Sequence, residues 1–348
     1  MNFGFKKILN MEKEQVLGLD IGASSVKIVQ LQKDESGYKV VAAGCVDIDR
    51  IDEQKGDINV VRAILSCLKE SSATAPLAVC SINGPEVAVR TFKFPSLPAE
   101  EVFGAVMLEA AQVCPFNINE SVVDYQLIAN GQDTIKGILV ASTERLIGKK
   151  KWFAQEASLR TALMDVDGLA LLNCLKEFGG IQSGRTAAVL NVGFSCTTLA
   201  IIGENNLPII RDIAYAGGDI IGKIADQTNK EPEYVKAFLS DANDTKHDYP
   251  EFEESLSRAS LRLIDEVSET LRYYKASEKF VINDIYLCGG FAMVDKFAQL
   301  LAAQISANII LWNPFEEIKD KNSRQFKDLL EKKGPAMAVA AGLALRAI

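Results

Sequence analysis

Gly18-Leu19-Asp20-Ile21-Gly22-Ala23-Ser24-Ser25-Val26-Lys27 reads as the end of an apolar strand, a turn at a glycine among small hydroxylated residues, and the start of a second apolar strand. Leu190-Asn191-Val192-Gly193-Phe194-Ser195-Cys196-Thr197-Thr198 repeats the pattern in the second half of the chain. A turn of this kind lines up backbone N–H groups on one side and forms a concave nest for anions. Gly22 removes the side chain that would block a phosphate, while Ser24 and Ser25 add hydroxyl donors and Lys27 a positive charge. Asp20 is unsuited to phosphate and suited to a hydrated Mg2+. The plainer reading is a β-hairpin that needs a glycine, with Asp20 as a turn residue. One such loop is a weak signal. Two, near the start of each half, point to two related domains closing on one phosphate chain.

The second loop is the poorer magnesium site. Asn191 stands where Asp20 stands in the first, so the shape is kept and the charge lost. Gly193 and the hydroxyls of Ser195, Thr197 and Thr198 remain as expected phosphate contacts. Two glycine pairs follow: Gly217-Gly218 before a helix from Asp219, and Gly289-Gly290 between the apolar Ile285–Cys288 and a helix near Phe291. Helix N-termini and bare backbone suit anions and flat polar ligands, although each pair alone reads as ordinary loop chemistry. The chain has no Gly-x-x-x-x-Gly-Lys-[Ser/Thr] and no Gly-x-Gly-x-x-Gly opening a helix, which sets aside the P-loop and dinucleotide folds.

Around the first loop, Val16–Leu19, Val26–Leu31, Tyr38–Ala43 and Leu77–Ile82 read as strands, and residues 58–69 as a helix with Val61, Ile64, Leu65 and Leu68 on one face. An extra unit of strand, helix, strand and strand follows. Its parts are Val87–Phe94, a helix opened by Pro98 and stopped by Pro115, Ser121–Leu127 and Ile135–Ala141, with a turn at 130–133. A helix over 144–159 leads out, and another covers 168–178. The glycine- and serine-containing stretch 179–184 then starts the second half. There the strands Thr186–Leu190, Leu199–Ile202 and Pro208–Ile213, with a turn at 203–206, repeat the opening order in pattern rather than in letters. Helices dominate 219–278, broken near 241–250, and Ala336–Ile348 reads as a small-residue helix that can pack closely. The expected domains are a leader 1–15, a first domain 16–84 and 160–180 with 335–348 packed back on it, an insert 85–159, and a second domain 181–334.

Composition fits this size of molecule. The 348 residues, 48% hydrophobic and 24% charged, suffice for two ordinary cores. A net charge of -8 leaves no basic stripe for nucleic acid. No apolar run is long enough to span a bilayer, and the N-terminus has no signal-peptide core, which points to the cytoplasm. Phe3, Phe5, Ile8 and Leu9 among Lys6, Lys7 and Lys13 read as a frayed leader or a short membrane or partner contact. The seven scattered cysteines read as core residues. With His247 as the one histidine, in a polar stretch, a Ser-His-Asp hydrolase and a histidine-rich zinc site are excluded.

The order of these motifs resembles the actin, Hsp70 and sugar-kinase ATPase superfamily. Asp20 to Lys27 resembles its first phosphate loop, Asn191 to Thr198 the second, and Leu287-Cys288-Gly289-Gly290 the adenosine motif. Pro232-Glu233-Tyr234-Val235-Lys236 is similar to a helix whose Glu and Lys approach ribose and adenine. Within the superfamily the chain resembles the PilM family of type IV pilus assembly proteins, relatives of the division protein FtsA. The segments that carry this are Phe94-Pro95-Ser96-Leu97-Pro98, Glu109 to Phe116, Val123-Asp124-Tyr125-Gln126-Leu127, Arg211-Asp212-Ile213 with Gly217-Gly218, and Ala341 to Arg346. The resemblance covers essentially the whole chain. It implies an α/β, actin-like (ribonuclease H-like) two-domain ATPase fold with an FtsA-type inserted subdomain. It also implies a cytoplasmic protein that binds ATP and Mg2+ and captures the N-terminal cytoplasmic tail of an inner-membrane PilN-like protein beside the insert. That capture would place it peripherally at the inner membrane, where other pilus components and further copies of the chain are additional expected contacts.

Asn191 replaces an acidic residue common in the superfamily, so slow or absent ATP hydrolysis is expected. Asp165 and Asp167 lie near the region of a general base, or cap the helix that follows. A sugar-type kinase and an FtsA-like division filament are the alternatives. The kinase would need a carboxylate base facing a substrate pocket, and the filament protein carries a C-terminal amphipathic helix beyond the point where Arg346-Ala347-Ile348 ends this sequence.

Overall fold

Residues 16–35, 37–50, 55–130, 134–179, 181, 185–202, 207–240, 250–278, 281–316, 318 and 325–347 are described by a computed structural model. The leader, most of the 179–184 stretch, the turn at 203–206 and the break with His247 fall outside them. In chain order the strands and helices begin with β1 (Val16–Ile21), β2 (Ser25–Asp34), β3 (Gly37–Asp47), α1 (Gly56–Ser71) and β4 (Leu77–Ile82). Next come β5 (Val87–Pro95), α2 (Ala99–Val113), β6 (Ser121–Asn130), β7 (Thr134–Thr143), α3 (Glu144–Glu156), β8 (Arg160–Val166) and α4 (Asp167–Phe178). The second half holds β9 (Ala187–Val192), β10 (Thr197–Ile202), β11 (Pro208–Ile213), α5 (Gly217–Thr228), α6 (Pro232–Ser240) and α7 (Pro250–Glu278). It continues with β12 (Asp284–Cys288), α8 (Phe297–Gln304), β13 (Asn308–Leu311), α9 (Lys327–Lys333) and α10 (Ala338–Ala344).

Two compact units result, one within 1–82, 147–180 and 313–348 and the other within 83–146 and 181–312. Each contains a five-stranded sheet of the same design. In unit 1 the order is β3-β2-β1-β4-β8, and in unit 2 it is β11-β10-β9-β12-β13. The first three strands of each are antiparallel neighbours, and the last two run parallel to the central strand. An antiparallel hairpin needs only a short turn, whereas each parallel strand needs a crossover that can carry a helix. The division falls inside α3 and before residue 313, so the expected boundaries at 159/160 and 334/335 run elsewhere. Phe153 and Ala154 of α3, with Ala157 and Leu159 after it, pack in one core with Leu17, Leu19, Val26 and Ile28.

Unit 2 also holds the small antiparallel sheet β5-β7-β6, whose own core joins Phe92, Ile135 and Leu139 to Val102, Val106 and Ala110 of α2. Those α2 residues recur every four positions and form the buried stripe of an amphipathic helix. Strands β8 and β13 carry no clear signal in the sequence. Arg160-Thr161-Ala162-Leu163-Met164-Asp165-Val166 mixes charge into its run, and Asn308–Leu311 is four residues with Leu311 half exposed. In unit 1 the C-terminal helix starts at Ala338, after a 3-10 turn over Gly334–Met337, and packs on β1 and α4 at backbone distance.

Candidate functional site

In unit 1 the expected turn is the three-residue connection Gly22-Ala23-Ser24, closed by Gly22 N–H donating to the Ser25 carbonyl at 3.1 Å. Gly22 is not at positive φ, so its role is spatial. A Cβ there would lie 2.9 Å from Lys27 Nζ and 3.0 Å from the Ser25 carbonyl oxygen. The carbonyls around the turn face protein donors: Lys150 Nζ donates to Ile21, an Arg50 guanidinium N–H to Ala23, and Ile48 N–H to Ser24 at 2.9 Å. The N–H groups of Ala23 and Ser24 have no partner among the described residues. Carbonyls tied back and amides left over are the arrangement that an anion nest requires.

Asp20 and Lys27 are register partners across β1 and β2, and Lys27 Nζ lies 3.1 Å from Asp20 Oδ2. Burial alone would lower the Lys27 pKa; the Asp20 carboxylate, with smaller help from Cys45 and Asp167, opposes it, and the ammonium is held above its ordinary value. Lys150 lies on the other side of that balance, pushed down by burial while the Asp167 and Asp20 carboxylates oppose it. Asp20 is the last residue but one of β1, and Ser81 and Asp165 lie near the ends of the parallel strands β4 and β8. Asp167 opens α4. The carboxyl ends of parallel strands are where open α/β sheets bind ligands.

Neither carboxylate near the expected general base caps α4, whose cap residue is Val166 with no side-chain bond. Asp165 is bound in bidentate fashion by Arg346, whose second N–H···O contact is 2.9 Å, and it accepts from Val166 N–H. Asp167 is buried and accepts from the Ser81 hydroxyl at 2.5 Å. Among the described residues no group of three or more His, Cys, Asp or Glu could hold a metal. A single carboxylate completed by waters and phosphate oxygens is the donor set Mg2+ accepts and most transition metals do not, so Asp20 fits that ion.

In unit 2 the turn repeats: Gly193 N–H donates to the Cys196 carbonyl at 3.1 Å. Gly217 and Gly218 donate their N–H groups to the carbonyls of Gly193 and Phe194 at 3.0 and 2.7 Å. The start of α5 is therefore docked on the loop, and these two amides are not left for an anion. A Cβ at Gly217 would meet the Phe291 ring at 2.6 Å, which places the Gly289-Gly290-Phe291 motif in the same cluster. Asn191 is half-buried, and its Oδ1 would lie 2.6 Å from a Cβ at Gly289, a residue at φ +98°.

The hydroxyls correct the sequence reading in part. Thr197 is fully buried and donates to the Tyr215 carbonyl at 2.9 Å, and Thr198 donates to Asp212 at 2.6 Å. Both bonds are structural, which leaves Ser195 as the exposed hydroxyl of this loop. A strand's inward positions are buried by the sheet's own pleat, so two adjacent threonines cannot both face a ligand on one side. On α6, Glu233 is exposed and Lys236 half-buried, one turn apart beside the buried Val235. Arg50 and Lys150 were not singled out in the sequence. Lys150 carries a usable signal: it lies three and four residues before Phe153 and Ala154, on the buried face of α3.

Two five-stranded sheets of one design, each opening on a glycine hairpin, define a two-domain protein of the actin-like ATPase fold. The profile of the type IV pilus assembly protein PilM family matches residues 18–348, and the chain belongs to that family. Among solved structures it is similar to the PilM-PilN type IV pilus biogenesis complex, at 23% identity over 95% of this chain and 98% of that one, with a TM-score of 0.82. The ethanolamine utilization protein EutJ from Carboxydothermus hydrogenoformans shares the fold at 12% identity and TM-score 0.55, covering 94% of this chain and 88% of that one. A diol dehydratase-reactivating factor in nucleotide free form does so at 10% identity and 0.55, covering 95% and 99%. Family membership disfavours the kinase and division-filament alternatives. Among the described residues no helix is long and apolar enough to cross a membrane.

Proposed function

We propose that this chain is a nucleotide-operated scaffold of type IV pilus assembly, which binds ATP with Mg2+ and holds the N-terminal cytoplasmic tail of a PilN-like inner-membrane protein. The observation that carries the nucleotide half is the first turn, with its carbonyls tied back, the Ala23 and Ser24 amides without a partner among the described residues, and Asp20 and Lys27 beside them. Asp20 would hold hydrated Mg2+, which when bound neutralises phosphate charge. Lys27, the turn amides and the hydroxyls of Ser24 and Ser25 would hold phosphate oxygens.

In unit 2, Ser195 would add a hydroxyl. Gly290, with nothing within 4 Å of its Cβ position, would leave backbone bare for adenosine, Gly193, Gly217, Gly218 and Gly289 would let the surrounding loops pack closely beside it, and Glu233 and Lys236 would meet its ribose and base. Turnover is slow or absent on this reading, because Asn191 brings no charge, Asp165 is held by Arg346, and Asp167 is tied to Ser81. The partner half rests on family membership and on the similar structure, which is of a PilM-PilN complex. The β5-β7-β6 sheet with α2 serves as the inserted recognition subdomain, and it exposes Phe103, Leu108, Val122 and Leu127. The protein then sits peripherally at the inner membrane through that partner. Calorimetric titration of the chain with ATP, with and without Mg2+, tests the first half: saturable binding that Asp20→Ala removes is expected, and no heat with the wild type rejects it.

A further inference from the structure

We infer that Lys150 is a second phosphate-binding cation of the Asp20–Lys27 turn, one that meets the terminal phosphate of bound nucleotide; the inference rests on the ATP reading above. Of the three consecutive lysines 149–151 on α3, Lys149 is exposed and pairs with Asp57, and Lys151 is exposed. Lys150 alone turns inward and donates to the carbonyl of Ile21, the residue before Gly22. That is its one hydrogen bond among the described residues, and an ammonium carries three donors.

A residue needed only to fill this place on α3 would be apolar, as Phe153 and Ala154 are. Bringing an ammonium here costs desolvation that one neutral carbonyl and the Asp167 and Asp20 carboxylates offset only in part. A phosphate oxygen is the stronger acceptor, because the bond becomes charge-assisted, and the four-carbon arm lets Nζ move to it. The local charges need this second cation. Asp20 and Asp167 place two carboxylates in the field of Lys150, and Lys27 is already engaged by Asp20. With Lys27 and the Arg50 guanidinium at the Ala23 carbonyl set against those two carboxylates, the turn without Lys150 is neutral, and Lys150 gives it the net positive charge that a polyphosphate requires.

The test compares Mg·ATP and Mg·ADP binding to the wild type, Lys150→Met and Lys150→Arg by calorimetry. Loss of one charge-assisted bond is expected to weaken Mg·ATP about 10- to 100-fold, to weaken Mg·ADP clearly less, and to be largely restored by arginine. Equal losses for the two nucleotides, or no loss, overturn the assignment, since a lysine that only braces the Ile21 carbonyl would not distinguish them. A second measurement needs no variant: Mg·ATP should slow acetylation of Lys150 in the wild type more than Mg·ADP does, read by mass spectrometry, and absence of such protection contradicts the inference. Wild type that binds neither nucleotide removes the ATP reading and this inference together. Wild type that binds ATP while Lys150→Met binds it equally well removes this inference alone.

Discussion

A carboxylate and an ammonium facing each other across two strands, each about nine-tenths buried, are stable only as a pair. Asp20→Ala should therefore do two things. It should lower stability by roughly 2–4 kcal/mol in urea unfolding, because Lys27 is left charged and unpaired, and it should abolish Mg2+-dependent ATP binding. The double variant Asp20→Asn with Lys27→Met separates the two effects: stability should return while nucleotide binding stays lost. Recovery of binding in the double variant would mean that the pair is structural only. At Asn191 the expected direction is opposite. Asn191→Asp restores a negative charge beside Gly289, and phosphate-release assays should show a stronger Mg2+ requirement and a higher rate of hydrolysis. An unchanged or lower rate would remove Asn191 as the reason for slow turnover.

Glycines decide how closely the elements approach. A Cβ at Gly18 would lie 2.1 Å from the Ala340 carbonyl oxygen, and one at Gly342 would lie 2.0 Å from that of Ala170. Both obstacles are backbone, so Gly18→Ala or Gly342→Ala should force α10 away from β1 or α4 and cost about 1–3 kcal/mol in thermal or urea unfolding. Gly104 in α2 is exposed with nothing within 4 Å, and Gly104→Ala should stabilise by up to about 1 kcal/mol through helix propensity. In unit 2, Asp212 of β11 ties two segments together, accepting from Gly84 N–H at 2.7 Å and from the Thr198 hydroxyl. Burial raises its pKa, and those two bonds oppose the shift without cancelling it. The native state then holds the proton more tightly than the unfolded chain, so its contribution to stability falls as pH rises from about 4 through the raised pKa. Urea melts should show the wild type gaining on Asp212→Asn as pH is lowered toward 4; a pH-independent difference would contradict the shift.

The same elements show what was legible in the sequence. Both hairpins were, because apolar runs on either side of a glycine and small hydroxyls admit few other structures, and α2 was, through its four-residue stripe and flanking prolines. Strand β8 was not, because Arg160 and Asp165 break the apolar run and its place is fixed by pairing with β4, a tertiary fact. Thr197 and Thr198 looked available for phosphate because a sequence does not say which way a strand's side chains face. Lys150 is one of three consecutive lysines, and only the burial of Phe153 and Ala154 shows which of them shares the inward face of α3.

At the scale of the whole molecule, one strand order occurs twice and an additional small sheet is carried in unit 2. A scaffold built this way is expected to be stabilised by its nucleotide, since a ligand that binds only the native state adds stability by mass action, about 2.7 kcal/mol at a hundred times its Kd. Mg·ATP should therefore raise the Tm of the wild type and leave that of Asp20→Ala unmoved. The partner half of the account is tested most directly by fluorescence anisotropy of a labelled peptide, the N-terminal cytoplasmic tail of a PilN-like protein, titrated with the full chain with and without Mg·ATP. Saturable binding that a scrambled peptide does not reproduce, and that weakens when nucleotide is withheld or Asp20 is replaced by alanine, is the expected result. No binding of the tail in either nucleotide state would contradict the account.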